Sequence, residues 1–486
     1  MSFLRFPLVL ITLFLSFSSA LFAQNTAALQ KAVSDLATEH AMRHATLAVS
    51  VYKVDKGTQL YAHNSQTALV PASLVKLFTT SAGFDRLGAQ FRFCTTLAYS
   101  GDIDKNGTLH GSIYIIGGGD PLLGSYRYRQ TQPDSLFAIW HQALVAAGIK
   151  AVDGRVHYDA SIFDNHPINN NWPWGDIGNY YGCGASGLNF HENMFFIYLN
   201  PGAKVGFPAS LSRTAPAGLN LRIINEAVTG QPKSGDNIIV YGDPGSSLRT
   251  CTGTLPVDAR NFSVRASLPK PAQACADLFT VYLRQHKLHV SGAASEALQR
   301  PRNLISLLEY TSPAYTLIAQ YTNMTSNNIY AESIHRFLGY KMNGLGSNAN
   351  GNKAVADYIK RLNLEASGIV LDDGCGLSMH NRLTADFLCR FLCEVAKTNY
   401  FNDFLKSLPS AGESGTVKKM LTGLPPKVSV SMKSGSMTGV RSFAGYVTNA
   451  KGDRYCFAVI ANNYDCTGAQ MRAKLEKIIL KIATLE

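Results

Sequence analysis

The sequence predicts a multidomain α+β fold with one five-stranded antiparallel sheet that is built from both ends of the chain and covered by helices. Three observations predict this fold. The chain has 486 residues, more than a single hydrophobic core usually organises. Strand-like alternation occurs near both ends, at 46–64 and 427–462, with helix-like runs beside each. Between about 88 and 302 short strands alternate with Gly, Pro, Asn and aromatic residues, which predicts an insertion between two halves of one domain.

The individual elements follow from hydrophobic periodicity, taken in chain order. A helix is predicted over 25–42, and two strands over 46–54 and 58–64 are joined by an Asp-Lys-Gly turn. The next helix covers 70–88, with Pro71 in its first turn, where a missing N–H leaves no partner unpaired. Later elements are three helices, three strands and a closing amphipathic helix: 312–324, 327–341, 352–364, 427–435, 440–447, 454–462 and 469–485. We expect the closing helix to pack on the sheet rather than on a membrane.

Composition and charge narrow the function classes. Hydrophobic residues make up 46% and charged residues 16% of the chain, which describes a folded protein. The net charge of +12 is spread without a Lys/Arg block or a basic stripe with interleaved aromatics, so nucleic acid is not predicted as a partner. His191-Glu192 lacks the second histidine of a zinc-protease helix, and Cys389 and Cys393 lack a nearby histidine, so we predict no metal and no cofactor.

Residues 1–23 are typical of a secretory signal. Arg5 supplies the positive start, PLVLITLFLSF the apolar stretch, and small residues up to Ala23 a cleavage site. An uncleaved membrane anchor is the alternative. No later run of about 18 apolar residues exists, so the mature chain is predicted to lack a transmembrane anchor and to reside in the periplasm or cell envelope.

The triplet Lys-Ser-Gly occurs twice, at 233–235 and at 433–435. The first copy lies in TGQPKSGDN, among residues that favour a loop, and predicts a solvated turn. The second ends the alternating run VSVSMKSG, where Lys433 projects from a strand beside the hydroxyls of Ser434 and Ser436. A cation and two hydroxyls on a strand are predicted to be the functional copy.

The pattern Ser-x-x-Lys occurs three times, and about two occurrences are expected by chance at this length. Ser50 and Lys53 lie in a predicted strand, where an odd separation places side chains on opposite faces. The copy that starts at Ser267 is held extended by its internal proline. Ser73 and Lys76 lie one turn apart at a helix start, so only there does the amine reach the hydroxyl. Amides at a helix start also favour a developing anion.

A third element, Ser326-Asn327-Asn328, lies between two predicted helices. By itself it is typical of a helix N-cap. Its place in the chain order changes this interpretation. Ser73/Lys76, then Ser326/Asn328, then Lys433-Ser434-Gly435 form the three-motif set of penicillin-binding proteins and β-lactamases.

Beyond these motifs the sequence resembles the class C low-molecular-mass penicillin-binding proteins, a family of D-alanyl-D-alanine carboxypeptidases/endopeptidases, over nearly the whole mature chain. The stretches that carry the resemblance are PASLVKLFTT (71–80), GGGDPLL (117–123), YYGCGASGLNFHEN (180–193), SNNIYAE (326–332), LDDGCGLS (371–378), LPSAGESGTV (408–417) and MKSGSMTGVRSFAGYV (432–447). The resemblance implies a transpeptidase-like, serine β-lactamase-like domain I over 24–87 and 303–486. It also implies a domain II over 88–116 and 190–302, and a domain III over 117–189 inserted in domain II.

The resemblance implies hydrolysis of D-Ala-D-Ala stem peptides of peptidoglycan through an acyl-enzyme, with β-lactams as covalent inhibitors. Ser73 is the implied nucleophile. Lys76 is its base, kept neutral by the nearby cation Lys433 and by the helix dipole. Ser326 relays the proton to the leaving amine, and Asn328 holds the backbone amide of the substrate.

The third motif is implied to bind the substrate. The backbone N–H groups of Ser73 and Ser436 form the implied oxyanion hole. Lys433, Ser434 and Ser436 bind the terminal carboxylate, and Gly435 lets the substrate backbone approach closely. The family usually has Thr where this chain has Ser434, and the hydroxyl is kept.

A specificity pocket is implied in the inserted block. The family uses a Trp and an Asp there for the free amine of the stem-peptide side chain, and Trp174 and Asp176 match them. The Arg that the family often places after the Gly-Leu-Ser stretch is Met379 here, with Arg382 as a conceivable substitute. We therefore expect selectivity for the amine and less dependence on the adjacent side-chain carboxylate.

Two other functions share part of this pattern. A β-lactamase carries all three motifs, but is usually a single domain of about half this length with a base for fast deacylation. A non-catalytic β-lactam sensor or wall-binding module has no need of a nucleophile and a base. The intact Ser73, Lys76 and Lys433 therefore favour the carboxypeptidase.

Overall fold

The computed structural model describes residues 26–485, so the predicted signal segment lies outside the described residues. Its strands, numbered in chain order, are β1 (Thr46–Lys53), β2 (Thr58–His63), β3 (Cys94–Ile103), β4 (Thr108–Ile116), β5 (Ala151–Val152), β6 (Val156–Asp159), β7 (Met194–Asn200), β8 (Ser210–Ala215), β9 (Arg222–Asn225), β10 (Val228–Gly230), β11 (Asn237–Tyr241), β12 (Leu248–Pro256), β13 (Phe262–Ser267), β14 (His289–Val290), β15 (Ser295–Glu296), β16 (Ile305–Thr311), β17 (Ser429–Met437), β18 (Val440–Thr448) and β19 (Arg454–Asn462). Its helices are α1 (26–37), α2 (Lys76–Leu87), α3 (Pro133–Ala146), α4 (Trp174–Ile177), α5 (Pro271–Gln285), α6 (Tyr315–Thr325), α7 (Asn328–Asn343), α8 (Asn348–Arg361), α9 (Ala385–Val395), α10 (Phe401–Ser407) and α11 (Gly468–Ala483).

The five-stranded antiparallel sheet has the order β17-β18-β19-β1-β2. The early and the late strands join where β1 pairs with β19, and Ser50 lies opposite Ala458 in that pairing. This confirms the predicted sheet and its assembly from both ends of the chain. Strand β17 is an edge strand, so its outer side is available to the helices and loops that form the cleft described below.

Both faces of this sheet are covered by helices. Alternate residues of β1 belong to different cores, because side chains alternate across a strand. Ala48 packs in a cluster with Phe387 and Phe391 of α9. Val49 packs in a second cluster with residues of α1 and α11, among them Leu29, Val33, Leu475 and Ile479. The closing helix therefore packs on the sheet, as its amphipathic pattern predicts.

The inserted block forms three further sheets, one of which also includes β16 from the chain just after it. A seven-stranded sheet has the order β14-β5-β4-β3-β16 with β6 and β15 beside it; a three-stranded sheet has the order β13-β7-β8; and β9 to β12 form a four-stranded sheet. The seven-stranded sheet takes strands from all three predicted domain ranges. The domain borders themselves stay a prediction. Within residues 26–485 there is no helix of sufficient length and hydrophobicity to cross a membrane.

Candidate active site

Ser73 and Lys76 lie where a 3-10 turn, Ala72–Val75, runs into α2. A 3-10 helix has three residues per turn, so side chains three positions apart lie directly above one another. Lys76 Nζ consequently lies 3.0 Å from Ser73 Oγ. The predicted spacing of one turn is present, although the first turn is 3-10 and the α-helix begins only at Lys76.

The backbone before the serine is held in an unusual conformation. Ala72 has a φ of 49°, a left-handed value that residues other than glycine rarely adopt. Gly376 packs directly against this residue, and a Cβ at Gly376 would lie 2.1 Å from the Ala72 carbonyl oxygen. Only a glycine therefore permits the loop that carries Cys375 to approach the turn of the nucleophile.

Lys76 is fully buried and has three hydrogen-bond partners. Its Nζ lies 2.5 Å from the Cys375 carbonyl, 2.7 Å from Asn328 Oδ1 and 3.0 Å from Ser73 Oγ. The Asn328 amide is oriented because its Nδ2 donates to the Tyr181 carbonyl. The first two partners of Lys76 only accept, whereas the serine hydroxyl can also donate. A neutral amine has two N–H groups for those acceptors and a lone pair for the serine proton, so the geometry suits a general base.

The protonation of Lys76 is set by its surroundings. Burial lowers the pKa of Lys76, while Cys375, Asp373 and Glu332 act in the opposite direction. Glu332 is itself buried, and burial raises its pKa to about 7. Two opposing effects therefore act on the amine of Lys76: desolvation favours its neutral form, and the nearby carboxylates favour its charged form.

The Ser326-Asn327-Asn328 element is the junction of α6 and α7. Ser326 ends α6 in the left-handed region, with φ 56° and ψ 39°. Asn327 is the N-cap of α7, and its side chain accepts a hydrogen bond from the Tyr330 N–H. The capping role thus falls on the middle residue, and its two neighbours are left to line the cleft.

Lys433 approaches the same junction from β17. It is fully buried, and its Nζ donates to Ser326 Oγ at 2.8 Å and to the Ser434 carbonyl at 2.7 Å. Burial, followed by the charge of Lys76, lowers the pKa of Lys433 well below its usual value. The charge of Lys76 thus lowers the pKa of Lys433, whereas the pKa of Lys76 is lowered by its own burial.

These groups border one cleft of about 760 Å³. Residues from separate parts of the chain line it: Ser73, Asp176, Tyr180, Tyr181, Ser326, Asn328, Met379, Thr416, Ser434, Ser436, Arg441, Phe443 and Arg472 are among them. The structure therefore brings the serines and the asparagine of all three motifs to one surface, with the two lysines buried behind them.

The hydroxyls of the third motif lie on the cleft side of β17. Ser434 Oγ lies 2.7 Å from Thr416 Oγ1, and Ser436 follows two residues later on the same strand face. Gly435 points the other way and is not part of the cleft lining. A Cβ there would lie 2.2 Å from Ser442 Oγ and 2.6 Å from the Pro71 carbonyl oxygen. The glycine is needed for packing against the chain next to the nucleophile, a reason that the sequence does not indicate.

The competing motif copies lie elsewhere. Lys233 is exposed in a turn, with a φ of 58°, as the loop residues around it predict. Lys53 forms an ion pair with Asp453, while Ser50 Oγ accepts a hydrogen bond from Gln59. Neither these residues nor the Ser267 copy contributes to the cleft that contains Ser73.

The two residues of the predicted specificity pocket are placed differently. Asp176 lines the cleft, accepts a hydrogen bond from Tyr181 at 3.2 Å, and has a pKa raised by burial. Trp174 is 59% exposed and is absent from the cleft lining. The buried tryptophan of this stretch is Trp172, whose Nε1 donates to Asp373. The indole of Trp172 therefore supports the loop that contains Asp373, and neither tryptophan lines the cleft beside Asp176.

Of the two residues considered after the Gly-Leu-Ser stretch, one also lines the cleft and the other does not. Met379 lines the cleft and is 48% exposed. Arg382 donates to the backbone carbonyls of Met379 and Asn381 and is not part of the lining. Its guanidinium is thus engaged by the loop, and the carboxylate-binding substitution that the sequence suggests is not present in this arrangement.

A buried carboxylate that the sequence analysis did not single out organises the loop behind Lys76. Asp373 accepts hydrogen bonds from the backbone N–H groups of Gly376 and Ser378 and from the Asn381 amide, besides the Trp172 indole. The stretch LDDGCGLS (371–378) could have indicated this residue, but the sequence does not show which of its two aspartates is buried. The side chains of Asp373, Glu332 and Cys375 lie close together and are of types that can bind a metal ion. They are the one such cluster among residues 26–485. Because protein donors already occupy its oxygens, we interpret Asp373 as structural.

Comparison with known proteins identifies the relatives of this chain. The model of the family described as D-Ala-D-Ala carboxypeptidase 3 (S13) matches residues 29–483. The D-alanyl-D-alanine carboxypeptidase of Actinomadura sp. (strain R39) is 28% identical over 469 residues, which cover 94% of this chain and 84% of that protein. The D-alanyl-D-alanine carboxypeptidase DacB of Haemophilus influenzae is 26% identical over 427 residues, with 86% and 85% covered.

Solved structures share the fold. The crystal structure of penicillin binding protein 4 (dacB) from Haemophilus influenzae superimposes with a TM-score of 0.77 at 24% identity, covering 93% of this chain and 98% of that one. The structure of the same protein with a β-lactam has a TM-score of 0.73 at 22% identity, with 90% and 96% covered. The likeness extends over the inserted block as well as the five-stranded sheet, which confirms the predicted fold class.

Proposed function

This chain belongs to the D-Ala-D-Ala carboxypeptidase 3 (S13) family, and we propose that its cleft hydrolyses D-alanyl-D-alanine peptides through an acyl-enzyme on Ser73. Membership makes the chain a serine-type D-Ala-D-Ala carboxypeptidase. The observation that carries the site assignment is the position of a fully buried lysine amine 3.0 Å from the Ser73 hydroxyl. The pairs at Ser50 and Ser267 have no such contact.

Acylation begins with a proton transfer from Ser73 Oγ to the neutral amine of Lys76. The serine oxygen attacks the carbonyl carbon of the penultimate D-alanine, and the carbonyl oxygen becomes an oxyanion. The backbone N–H groups of Ser73 and Ser436 stabilise this oxyanion, an effect of about 2.7–4 kcal/mol for each donor. Both residues line the cleft, as this role requires.

The leaving amine needs a proton when the C–N bond breaks. Ser326 Oγ delivers its proton to that nitrogen and takes another from Lys433, which lies 2.8 Å away. The terminal D-alanine then departs. The proton that Lys76 took from Ser73 then passes to the deprotonated Lys433, so Lys76 is neutral again before the second half of the reaction. Water attacks the ester on Ser73 and gives a proton to Lys76. Lys76 passes this proton to Ser73 Oγ as the shortened peptide leaves, which restores the serine.

Substrate binding uses the cleft wall around the reacting atoms. The hydroxyls of Ser434 and Ser436 hold the terminal carboxylate of the substrate beside the buried charge of Lys433. Asn328 holds the substrate backbone amide. Asp176 receives the free amine of the stem-peptide side chain, because a carboxylate that lines the cleft attracts an ammonium group.

The natural substrate is peptidoglycan. The relatives from Actinomadura and Haemophilus influenzae are named D-alanyl-D-alanine carboxypeptidases, and the Haemophilus protein has been crystallised with a β-lactam. We propose that β-lactams acylate Ser73 of this chain, since they present a reactive amide and a carboxylate in the same relation. A cross-bridge that ends in D-alanine has the same acyl half, so endopeptidase cleavage follows the same path.

A cell-wall substrate requires export of the enzyme. Residues 1–23 supply a typical signal sequence, and the expected location is the periplasm or cell envelope. N-terminal sequencing of the protein recovered from the periplasm should begin at Gln24. A start at Met1 in that fraction would contradict cleavage.

The decisive assay is release of D-alanine from a D-Ala-D-Ala peptide by the purified protein. We expect multiple turnovers by the wild type and none by Ser73→Ala. Benzylpenicillin hydrolysis should be followed in parallel, because a β-lactamase would turn over the antibiotic rapidly and leave the peptide intact. Binding of both ligands without any turnover would indicate a sensor and would contradict the proposal.

A further inference from the structure

Two arginines line the catalytic cleft without being used by the mechanism above. Arg441 lies on β18 and Arg472 on α11, and both belong to the cleft lining with Ser73, Ser434 and Ser436. We propose that they form an anion subsite for the leaving group, which favours leaving peptides that carry a second carboxylate. This inference rests on the proposed function, because it assigns a substrate class to the same cleft.

Arg441 is placed beside the hydroxyl wall by strand pairing. In the hairpin of β17 and β18 it lies directly opposite Ser436, and Phe443 lies opposite Ser434. Side chains of directly paired residues share one face of a sheet, so Arg441 is on the face that carries the two hydroxyls. The guanidinium is therefore next to the groups that hold the terminal carboxylate of the leaving residue.

Arg472 reaches the cleft from the helix that covers this end of the sheet. Helix α11 begins at Gly468, beside the Arg441 guanidinium: a Cβ at Gly468 would lie 2.7 Å from Arg441 Nη2. Arg472 follows one turn later on the same helix. Two cations from different elements thus meet at one side of the cleft.

Neither guanidinium has a protein partner within residues 26–485. Both side chains are partly buried, yet no carboxylate forms an ion pair with either, and the Nε of Arg441 is buried without an acceptor. Elsewhere the chain pairs partly buried arginines with carboxylates: Arg127 with Glu192 and Arg390 with Asp386. A partly buried guanidinium without an acceptor is unfavourable, and an incoming anion would remove that cost.

The remaining charges of the lining support an anion at this side. Asp176, from α4 in the inserted block, is the single carboxylate among the lining residues of the described cleft, and it hydrogen-bonds Tyr181. Because Asp176 lies on a separate element, its carboxylate does not pair with the positive charges of the two arginines. The cleft is thus polarised, with an acid on the inserted block and two cations on the hairpin and α11.

The number of donors indicates what this anion is. A D-alanine leaving group has one carboxylate, for which Ser434 and Ser436 already provide hydroxyls. Two guanidiniums supply up to ten further N–H donors in planar forks that match carboxylates. A leaving residue with a side-chain carboxylate, or a leaving peptide with one nearby, would use both sets of groups.

The test compares leaving groups on one acyl donor. Peptides ending in D-Ala-D-Glu, D-Ala-D-Gln and D-Ala-D-Ala are hydrolysed by the mature enzyme, and kcat/KM is measured from release of the last residue. We expect the D-Glu peptide to exceed its neutral isostere D-Gln by roughly fivefold, the effect of one charged contact at a partly exposed site. The ratio should fall towards one in Arg441→Gln and in Arg472→Gln.

Lys477→Gln is the matched control, because Lys477 is an exposed cation on the same helix α11 and lies outside the cleft lining. It should keep the wild-type D-Glu to D-Gln ratio. Added salt should lower that ratio in the wild type, a readout that does not depend on either arginine variant folding. A wild-type ratio near one, or a ratio that both arginine variants retain, overturns the subsite. No release from any of the three peptides would instead overturn the proposed function.

Discussion

The two Lys-Ser-Gly triplets of this chain have the same side chains in different surroundings. In the 433–435 copy the lysine is fully buried in β17 and bonded to Ser326 Oγ, and burial holds its pKa well below the usual value. In the 233–235 copy the lysine is exposed in a turn, where its backbone N–H, not its amine, contacts Asp258. We expect the chemistry to depend on that difference, because only burial brings the amine into contact with Ser326 and lowers its pKa so that it can give up a proton.

The same difference separates the three Ser-x-x-Lys pairs. Lys76 is buried against Ser73, whereas Lys53 is paired with Asp453 at the end of its strand. A lysine with an ion-pair partner keeps its proton and cannot act as a base. We therefore expect a motif to be functional in this molecule where the fold removes water from the lysine and supplies it with neutral acceptors.

The largest effect is expected when the nucleophile of the functional Ser-x-x-Lys pair is removed. Ser73→Ala should lower acylation by a β-lactam by about 10⁴-fold or more, because it removes the hydroxyl that lies 3.0 Å from the buried Lys76 amine. Mass spectrometry of the treated wild type should find the adduct on the peptide that contains Ser73. Ser50→Ala and Ser267→Ala are the controls and should be labelled like the wild type. An adduct on either of those serines would reverse the assignment.

The next effect concerns the two lysines directly. Lys433→Ala should reduce the second-order rate constant for acylation by roughly 100- to 1,000-fold, since it removes both a proton relay and a carboxylate anchor. Lys233→Ala removes one exposed cation and should leave the rate constant unchanged. Stopped-flow kinetics with a chromogenic β-lactam measures both. Equal losses would mean that burial does not distinguish the copies.

A third prediction sharpens the argument about desolvation. Acylation needs neutral Lys76, so its rate should rise with pH through the lowered pKa of Lys76. The Glu332 carboxylate acts to raise the pKa of Lys76. Glu332→Gln should therefore lower that pKa further and move the rising limb to lower pH.

The matched control for this shift is Glu365→Gln, which removes an exposed carboxylate. The pH profile of acylation should be measured between about pH 5 and 9 for both variants and the wild type. A limb that moves to higher pH in Glu332→Gln, or that moves equally in the control, would show that the buried carboxylate does not tune the base.

The smallest effect applies the same distinction within one short stretch. Asp176 lines the cleft, whereas Trp174 is largely exposed. Asp176→Asn should lower kcat/KM for peptides with a free side-chain amine by about fivefold and leave penicillin acylation nearly unchanged, since penicillin lacks that amine. Trp174→Ala should have little effect on either.

The assay compares peptides whose side-chain amine is free or acetylated, on wild type and both variants. The wild type should prefer the free amine, and Asp176→Asn should lose this preference. If acetylation makes no difference to the wild type, Asp176 is not a specificity residue. If Trp174→Ala loses the preference, the exposed indole contributes after all.

Much of the fold was predictable, because local hydrophobic patterns and their order along the chain determine most of its strands and helices. The paired strands that contain Val49 and Val459 are short runs rich in apolar residues, and the helical repeat of α11 places Leu475 and Ile479 on one side. The 3-10 turn at Ser73 was not predictable, because it depends on the contact between Ala72 and Gly376, which lie about 300 residues apart. Nor was the exposure of Trp174, since an aromatic residue packs or protrudes according to neighbours that are distant in sequence.

The sequence by itself determined the family, the order of the three motifs and which serine is spaced to meet a lysine, because these depend on residue identity and short-range periodicity. Only the tertiary structure decided how these residues behave. It buried Lys76 and Lys433, gave the capping role to Asn327 and packed Gly435 against Pro71. It also placed Arg441 and Arg472 at the cleft without a partner among residues 26–485. The physical reason is that desolvation, hydrogen-bond supply and charge pairing are properties of contacts between distant segments, and those contacts form only when the chain folds.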